Sequence, residues 1–405
     1  MRVVYICADR GIPVFGSKGA SVHVQEIIRA FRRRGDEVDL IAARLGGDPP
    51  PDLADLRVKR LKGSRSADGI TRGKLAPGEI DAVLEKALPK ADRGWSLVYE
   101  RHALWSSAGM RFARQHDIPG VLEVNAPLVR EQARHRRLEN PAYAQRLAAE
   151  SLRAATLRVA VSSGVAAAHD EYGLGLDDFL VCPNGVNPNR FPERAPGAPR
   201  TDFTIGFLGT LKPWHGLPVL IEAFALLAPE NPNLRLLIAG DGPMREEMEQ
   251  QLQAVGLSDR SRFLGALHPA AVPEALGRMD VGVAPYDEAD GHYFSPLKIF
   301  EYMAASKPVV ASSVGQIPQL ITEGEEGLLV EAGDVTGLAE ALRKLSSSPE
   351  IASRMGEAGR RRVLAHHTWD AVLDRVLAAL PQETRSSCSH GGNAAAAGAG
   401  RHGRR

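Results

Sequence analysis

The chain has 405 residues, 44% hydrophobic and 24% charged, too long for one ordinary compact domain and apolar enough for two cores. Its 50 basic residues balance 49 acidic ones, a net charge of +1, which argues against nucleic acid as the main partner because that binding needs a concentrated positive surface. Three widely spaced cysteines, Cys7, Cys182 and Cys388, support neither a disulfide framework nor a structural zinc site.

The N-terminal MRVVYICADRG lacks the apolar core and cleavage site of a signal peptide, and no run approaches 18 apolar residues, so a cytoplasmic protein is expected. A first strand is predicted at Val3–Ile6. A glycine-rich loop holding Gly11, Gly16 and Gly19 follows, then a helix from about Ser21 to Arg34. Glycines there let backbone N–H groups approach an anion at the helix N-terminus; the plainer reading is a long first turn with Ser21 as N-cap. Both readings stay open on the loop alone. Further strands are predicted near Val38–Ala42, Leu56–Leu61, Leu97–Tyr99, Val121–Val124 and Leu157–Val161, with a mobile loop in the Pro- and Gly-rich stretch between Gly46 and Gly78. Strands alternating with helix-length segments predict a parallel sheet covered on both faces.

From Cys182-Pro183-Asn184-Gly185-Val186 to Arg200 the composition turns to Pro, Gly, Asn and Arg, which reads as a linker. A second alternating series then begins, with strands at Phe203–Phe207, Leu236–Gly240, Val281–Ala284 and Pro308–Ala311. The expected domains are residues 1–190, completed by a helix at about 366–381, and residues 201–365. The tail 383–405 holds no large apolar residue and is expected to be disordered.

Chemistry concentrates in the second half. Gly209-Thr210-Leu211-Lys212-Pro213-Trp214-His215-Gly216 leads from a strand into a helix, a setting suited to a diphosphate, with Lys212 to neutralise charge. Gly240-Asp241-Gly242-Pro243 makes a tight turn with proline at the first helical position, and serves as a turn or as a ligand contact equally well. Ser295-Pro296-Leu297-Lys298-Ile299-Phe300-Glu301 opens a short apolar helix, placing Lys298 and Glu301 on one face. These two meet a sugar nucleotide at diphosphate and ribose, or form a solvated i, i+3 ion pair.

Together the glycine-rich loop, PNGV, LGTLKPWHG, IAGDGP, RFLG and SPLKIFEYMAASKPVVAS resemble glycosyltransferase family 4, over nearly the whole stretch from Met1 to about Leu380. The resemblance implies an α/β GT-B architecture: two Rossmann-like doubly wound parallel-sheet domains facing a central cleft. It implies a retaining transferase moving a sugar from a UDP- or GDP-sugar to a small-molecule or glycan acceptor. The sequence shows no metal-ligating cluster, and lysines with helix N-termini can do the work of a divalent cation, so neither cofactor nor metal is expected. Glu301 matches the second glutamate of the family's E-x7-E motif, which holds the ribose; Tyr293 stands in place of the first. Thr210 and His215 replace the usual arginine and lysine of the diphosphate loop, leaving Lys212 and Lys298 as substitutes, as in members bearing SPLK.

The donor-binding set implied is Gly16, Gly19, Gly209, Lys212, His215, Gly240, Ser295, Pro296, Leu297, Lys298 and Glu301. Lys298 is also a catalytic candidate, with His102, Glu123 and Asn125 at first-domain strand ends; Asn125 stands where the family commonly carries histidine. For His102, a structural histidine satisfied by its surroundings is the competing reading. Two other functions share such a donor site: a GT-B-type sugar-nucleotide epimerase, and a catalytically altered nucleotide-sugar-binding protein. Arg32–Arg34 and Arg134–Arg137 allow peripheral membrane contact, but a helix C-terminus and a solvated face account better for them.

Overall fold

The structure, a computed structural model, describes residues 1–63, 76–192, 201–287 and 293–381. The disorder expected of 383–405 lies outside the described residues, as do residues 64–75 of the expected mobile loop. The chain divides into two compact units. One comprises Met1–Val161, Val165–Cys182 and the chain from Leu373; the other comprises Ser162–Gly164 and Pro183–Val372.

In the first unit seven parallel strands are β1 (Arg2–Cys7), β2 (Glu37–Ala42), β3 (Arg57–Arg60), β4 (Leu97–Arg101), β5 (Gly120–Val124), β6 (Leu157–Ala160) and β7 (Leu180–Val181). They lie in the order β3-β2-β1-β4-β5-β6-β7, so the order reverses between β1 and β4. Central strands read as continuous buried runs because helices cover both faces, whereas β3, Arg-Val-Lys-Arg, is exposed throughout, a short charged edge that resists pairing with another chain. The helix Gly19–Arg33 lays Val24, Ile27, Ile28 and Phe31 on the sheet, with Phe31 edge-on to Tyr99. Its N-cap is Lys18 in extended conformation, not Ser21 as the plainer reading had it; Ser21 is buried one turn inside the helix.

In the second unit six parallel strands are β8 (Phe203–Leu208), β9 (Leu234–Ala239), β10 (Ser261–Phe263), β11 (Val281–Ala284), β12 (Val309–Ser312) and β13 (Gly327–Val330). Their order, β10-β9-β8-β11-β12-β13, reverses between β8 and β11. Tyr302, on the helix Leu297–Ala304, marks that reversal. Its hydroxyl accepts from Leu208 N (2.7 Å) and donates to the Val283 carbonyl (3.2 Å), joining the ends of the two strands that part there. Gly282 is needed beneath it, since a Cβ there would lie 2.4 Å from the Tyr302 ring. In open α/β sheets ligands bind beyond the carboxyl ends of strands at such a reversal. Among the described residues no helix is long and apolar enough to cross a membrane.

Candidate active site

In the second unit, the loops leaving β8, β9 and β11 converge at the reversal because their glycines let backbone meet backbone. A Cβ on Gly240 would fall 1.8 Å from the Gly209 carbonyl oxygen, and one on Gly216 1.5 Å from the Pro285 carbonyl oxygen. Gly209 (φ 142°) and Gly216 (φ 59°) also hold left-handed backbone, which favours glycine. Gly216 then caps the helix Leu217–Leu227. Pro243 is not the first helical residue: the helix after β9 starts at Arg245, leaving Pro243 in the turn.

Lys298 reaches into this backbone nest from the first turn of Leu297–Ala304. Its side chain is buried, with Nζ 4.1 Å from the Phe207 ring centroid and 5.2 Å from that of Tyr286, and with no hydrogen-bond partner among the described residues. A Cβ on Gly209 would sit 3.2 Å from Nζ, so the ammonium lies against the β8 exit. Burial pulls its pKa down to about 7, against the opposing pull of Glu301. The i, i+3 ion pair is therefore not what this face forms: Glu301 Oε1 pairs instead with Arg190 Nη1 at 3.4 Å.

His215 Nδ1 donates to the Thr210 carbonyl (2.6 Å), and its ring packs among Phe207, Trp214 and Tyr286. Lys212 Nζ stands 5.5 Å over the Trp214 ring; Trp214 is 45% exposed, so it is no core packing residue. Ser295 Oγ accepts from Asn184 N (3.0 Å) while Asn184 Nδ2 donates to the Ser295 carbonyl (2.7 Å). The PNGV segment thus fixes the start of the SPLK helix, where Pro296 is N-cap and Leu297 the first helical residue.

In the first unit the carboxyl end of β5 carries a buried carboxylate, Glu123. It accepts from Tyr99 Oη (2.8 Å), Arg101 Nη1 (3.0 Å) and Asn125 Nδ2 (2.7 Å), and His23 Nε2 lies 2.9 Å from its Oε2. Burial alone would raise its pKa; His23, Arg101 and Asn125 outweigh that and push it down to about 2. Register explains the pairing, since Arg101 and Glu123 are cross-strand partners on one sheet face. His102 is buried one residue past β4, with both ring nitrogens lacking partners among the described residues and its ring centroid 6.4 Å from that of His169. The satisfied structural histidine is thus not what is found. Burial, then His169, pushes its pKa down to about 3, so the ring is neutral at ordinary pH.

Residues 17–190 match the family model described as Glycosyltransferase Family 4, and residues 190–362 match Glycosyl transferases group 1. The chain belongs to glycosyltransferase family 4. It is 26% identical to a glycogen synthase of Mycobacterium tuberculosis over 92% of each chain. To a D-inositol 3-phosphate glycosyltransferase of Geodermatophilus obscurus it is 25% identical, over 89% of this chain and 84% of the relative. Among solved structures, sucrose-phosphate synthase from Thermosynechococcus elongatus superposes with TM-score 0.70 at 21% identity, over 96% of this chain and 99% of the other. Anabaena HepE in complex with UDP-glucose superposes with TM-score 0.65 at 18% identity, over 96% and 100%. The architecture is GT-B, and the protein is a glycosyltransferase.

Of the transferase residues expected from sequence, Gly209, His215, Gly240, Lys298 and Glu301 gather at the β8/β11 reversal, while Lys212 turns to Trp214. Gly16 and Gly19 belong to the first unit. Gln25 Nε2 ties the loop there through the carbonyls of Val14 (2.8 Å) and Gly16 (3.0 Å). Sequence reasoning missed His23, Tyr99 and Arg101 around Glu123, and Arg190 beside Glu301. His23 carried a signal, a histidine on the apolar stripe of a helix with Ile27 and Phe31. Among the described residues no group of three or more His, Cys, Asp or Glu side chains is placed to hold a metal ion.

Proposed function

We propose that this glycosyltransferase is a retaining, metal-independent enzyme that takes a sugar from a UDP-sugar and passes it to a hydroxyl of a small-molecule or glycan acceptor. One observation carries the reading: the buried Lys298 ammonium at the β8/β11 reversal has no hydrogen-bond partner among the described residues. Burying an unpaired charge is costly, and a diphosphate docked on the glycine nest repays that cost. Backbone N–H groups near Gly216, at the start of a helix, favour the same anion. Lys298 and Lys212 then stabilise charge as it grows on the leaving diphosphate, the work a divalent cation does elsewhere. Glu301 accepts from the ribose hydroxyls. UDP is favoured over GDP because the related HepE is described bound to UDP and UDP-glucose.

On the acceptor side, Glu123 serves as a fixed anion rather than a proton shuttle: its oxygens are committed to Tyr99, Arg101, Asn125 and His23. Asn125, held by Glu123, and neutral His102 are the groups at strand ends that remain to contact a sugar. In a retaining reaction on one face of the sugar, the leaving diphosphate takes the acceptor proton, which fits the lack of a free carboxylate among these residues.

The test is thermal shift of the purified protein with UDP, GDP, ADP, TDP and CDP, with and without a chelator, alongside Lys298→Met. Ligand at about a hundredfold excess over its dissociation constant adds about 2.7 kcal/mol to the stability of the folded state. A UDP-selective shift that survives chelation and disappears in Lys298→Met is expected. No response to any diphosphate from folded protein would sink the reading, and a response to GDP alone would reassign the sugar donor.

A further inference from the structure

The segment Asn184–Phe191 runs beside the helix Leu297–Ala304 and is fastened to it at three levels. At the helix start Asn184 holds Ser295 through two hydrogen bonds. At its middle Arg190 meets Glu301. At its end Arg360 Nη1 donates both to the Phe191 carbonyl (2.8 Å) and to the Ala304 carbonyl, so one guanidinium joins strap to helix C-terminus. Val186 adds a bridge to Thr368, and Gly185 is required there because a Cβ would lie 2.9 Å from Trp369 N.

Arg190 is the member of this strap whose partner carries chemistry. Its guanidinium is immobilised from other sides: Nη2 donates to the Pro269 carbonyl at 2.7 Å, and Cζ lies 5.3 Å from the Phe191 ring centroid. Nη1 is thereby presented to Glu301 Oε1 from a fixed direction, and both side chains are about four-fifths buried, 20% and 18% exposed. We propose that Arg190 is a positioning residue for ribose recognition, holding the Glu301 carboxylate in the orientation that accepts from the ribose hydroxyls. The proposal rests on the reading of Glu301 as the ribose contact. Ribose hydroxyls act there as hydrogen-bond donors, so the carboxyl must be ionised as well as aimed. Burial draws Glu301 toward its protonated form, and Arg190 is the first group opposing it. A bidentate-capable, permanently charged fork suits this double task in a way a lysine does not.

The experiment compares the affinities of UDP and 2′,3′-dideoxy-UDP by calorimetry in wild type, Arg190→Met, Arg190→Lys and Glu301→Ala. A hydrogen bond to a charged group is worth about a ten- to hundredfold preference for UDP over the dideoxy compound in wild type. In Arg190→Met that preference should collapse to the Glu301→Ala value while dideoxy-UDP affinity stays within about threefold, a change smaller than one lost hydrogen bond; Arg190→Lys should recover part of it. An arginine that merely braces the strap would weaken both ligands alike and keep the wild-type ratio, which overturns the proposal. Should Arg190→Met not fold, an unchanged ratio in Arg190→Lys overturns it equally. Wild type that binds UDP without preferring it to dideoxy-UDP removes the ribose role of Glu301, and the proposal with it. Wild type that binds neither compound removes the donor site itself.

Discussion

Titrating UDP into the enzyme from about pH 7 to about pH 9 probes the unpaired ammonium at the β8/β11 reversal, because bringing a diphosphate to Lys298 should bring a proton with it. In the unliganded protein burial holds the Lys298 pKa at about 7, well under its usual 10.5. A diphosphate in contact returns it toward or above the ordinary value, so the bound state keeps the proton over that range. At about pH 8 roughly nine-tenths of unliganded molecules have lost the proton, and binding takes up about 0.9 of one. Between about pH 7 and 9 the apparent affinity then falls about fifty-fold, roughly 2.3 kcal/mol. The terminal phosphate of UDP, with its second pKa near about 6, is already ionised and adds little. Isothermal calorimetry in two buffers of different ionisation enthalpy reads both the uptake and the slope. Affinity flat over the range, with the same heat in both buffers, would refute the reasoning; Lys298→Met should show that flat behaviour at much reduced affinity.

Glu123→Gln should lower stability at neutral pH by roughly 3 kcal/mol, because a folded pKa of about 2 against an ordinary 4.5 contributes stability that is present above the ordinary value and lost as pH falls toward the folded one. Urea melts of the two proteins should converge in acid, and a constant difference from neutral to acid would contradict this. Glu100→Gln should behave oppositely. Glu100 is buried against Gly109 and accepts from Ser106 Oγ (2.8 Å), and burial raises its pKa to about 7, so its ionisation destabilises the fold increasingly as pH rises from 4.5 and fully above about 7. The variant should therefore gain up to about 3 kcal/mol on wild type between about pH 5 and 8, read by the same melts. Lys298→Met should raise the melting temperature of the unliganded protein, since exchanging a buried charge for an apolar chain of similar shape is worth roughly 1–4 kcal/mol in favourable cases. A lowered melting temperature would mean that Lys298 packs as a structural member.

The strand-and-helix alternation and the SPLK stretch were legible because each depends on residues close in sequence. Lys298 could be singled out as a cation at the start of an apolar helix with no obvious solvated face. What it faces could not: the Phe207 and Tyr286 rings come from other strands' ends, and only the order reversal between β8 and β11 assembles them. Glu123 and Asn125 stood out as polar residues ending an apolar strand, yet the partners that fix the role of Glu123 come from the register of the neighbouring strand β4 and from a helix about a hundred residues earlier. Arg190 was hidden for a different reason. It sits among prolines and asparagines that read as linker, and its partner Glu301 is 111 residues away. Linker composition describes how a segment can bend, not what it is fastened to. Ser21 misled as an N-cap because the cap falls three residues sooner, on Lys18, whose side chain makes no capping hydrogen bond.

The two buried charges at the ends of these sheets solve the same electrostatic problem in opposite ways, and the difference separates scaffold from site. Removing an ion from water costs several kcal/mol, which a fold offsets only with well-placed partners. Glu123 has four, drawn from β4, the helix Gly19–Arg33 and the loop just past β5, so its charge is settled before any ligand arrives. Its loss should appear first in stability. Lys298 has two aromatic faces and a carboxylate that Arg190 already occupies, so its charge is left unsettled and its proton loosely held. Such a group destabilises the unliganded fold and is tolerated only where an anion completes it, which is why strained or unsatisfied groups gather at functional sites. By that reasoning the ligand expected at the second unit brings negative charge to within reach of Nζ, as the proposed nucleotide diphosphate would do while its ribose met the carboxylate one helical turn away.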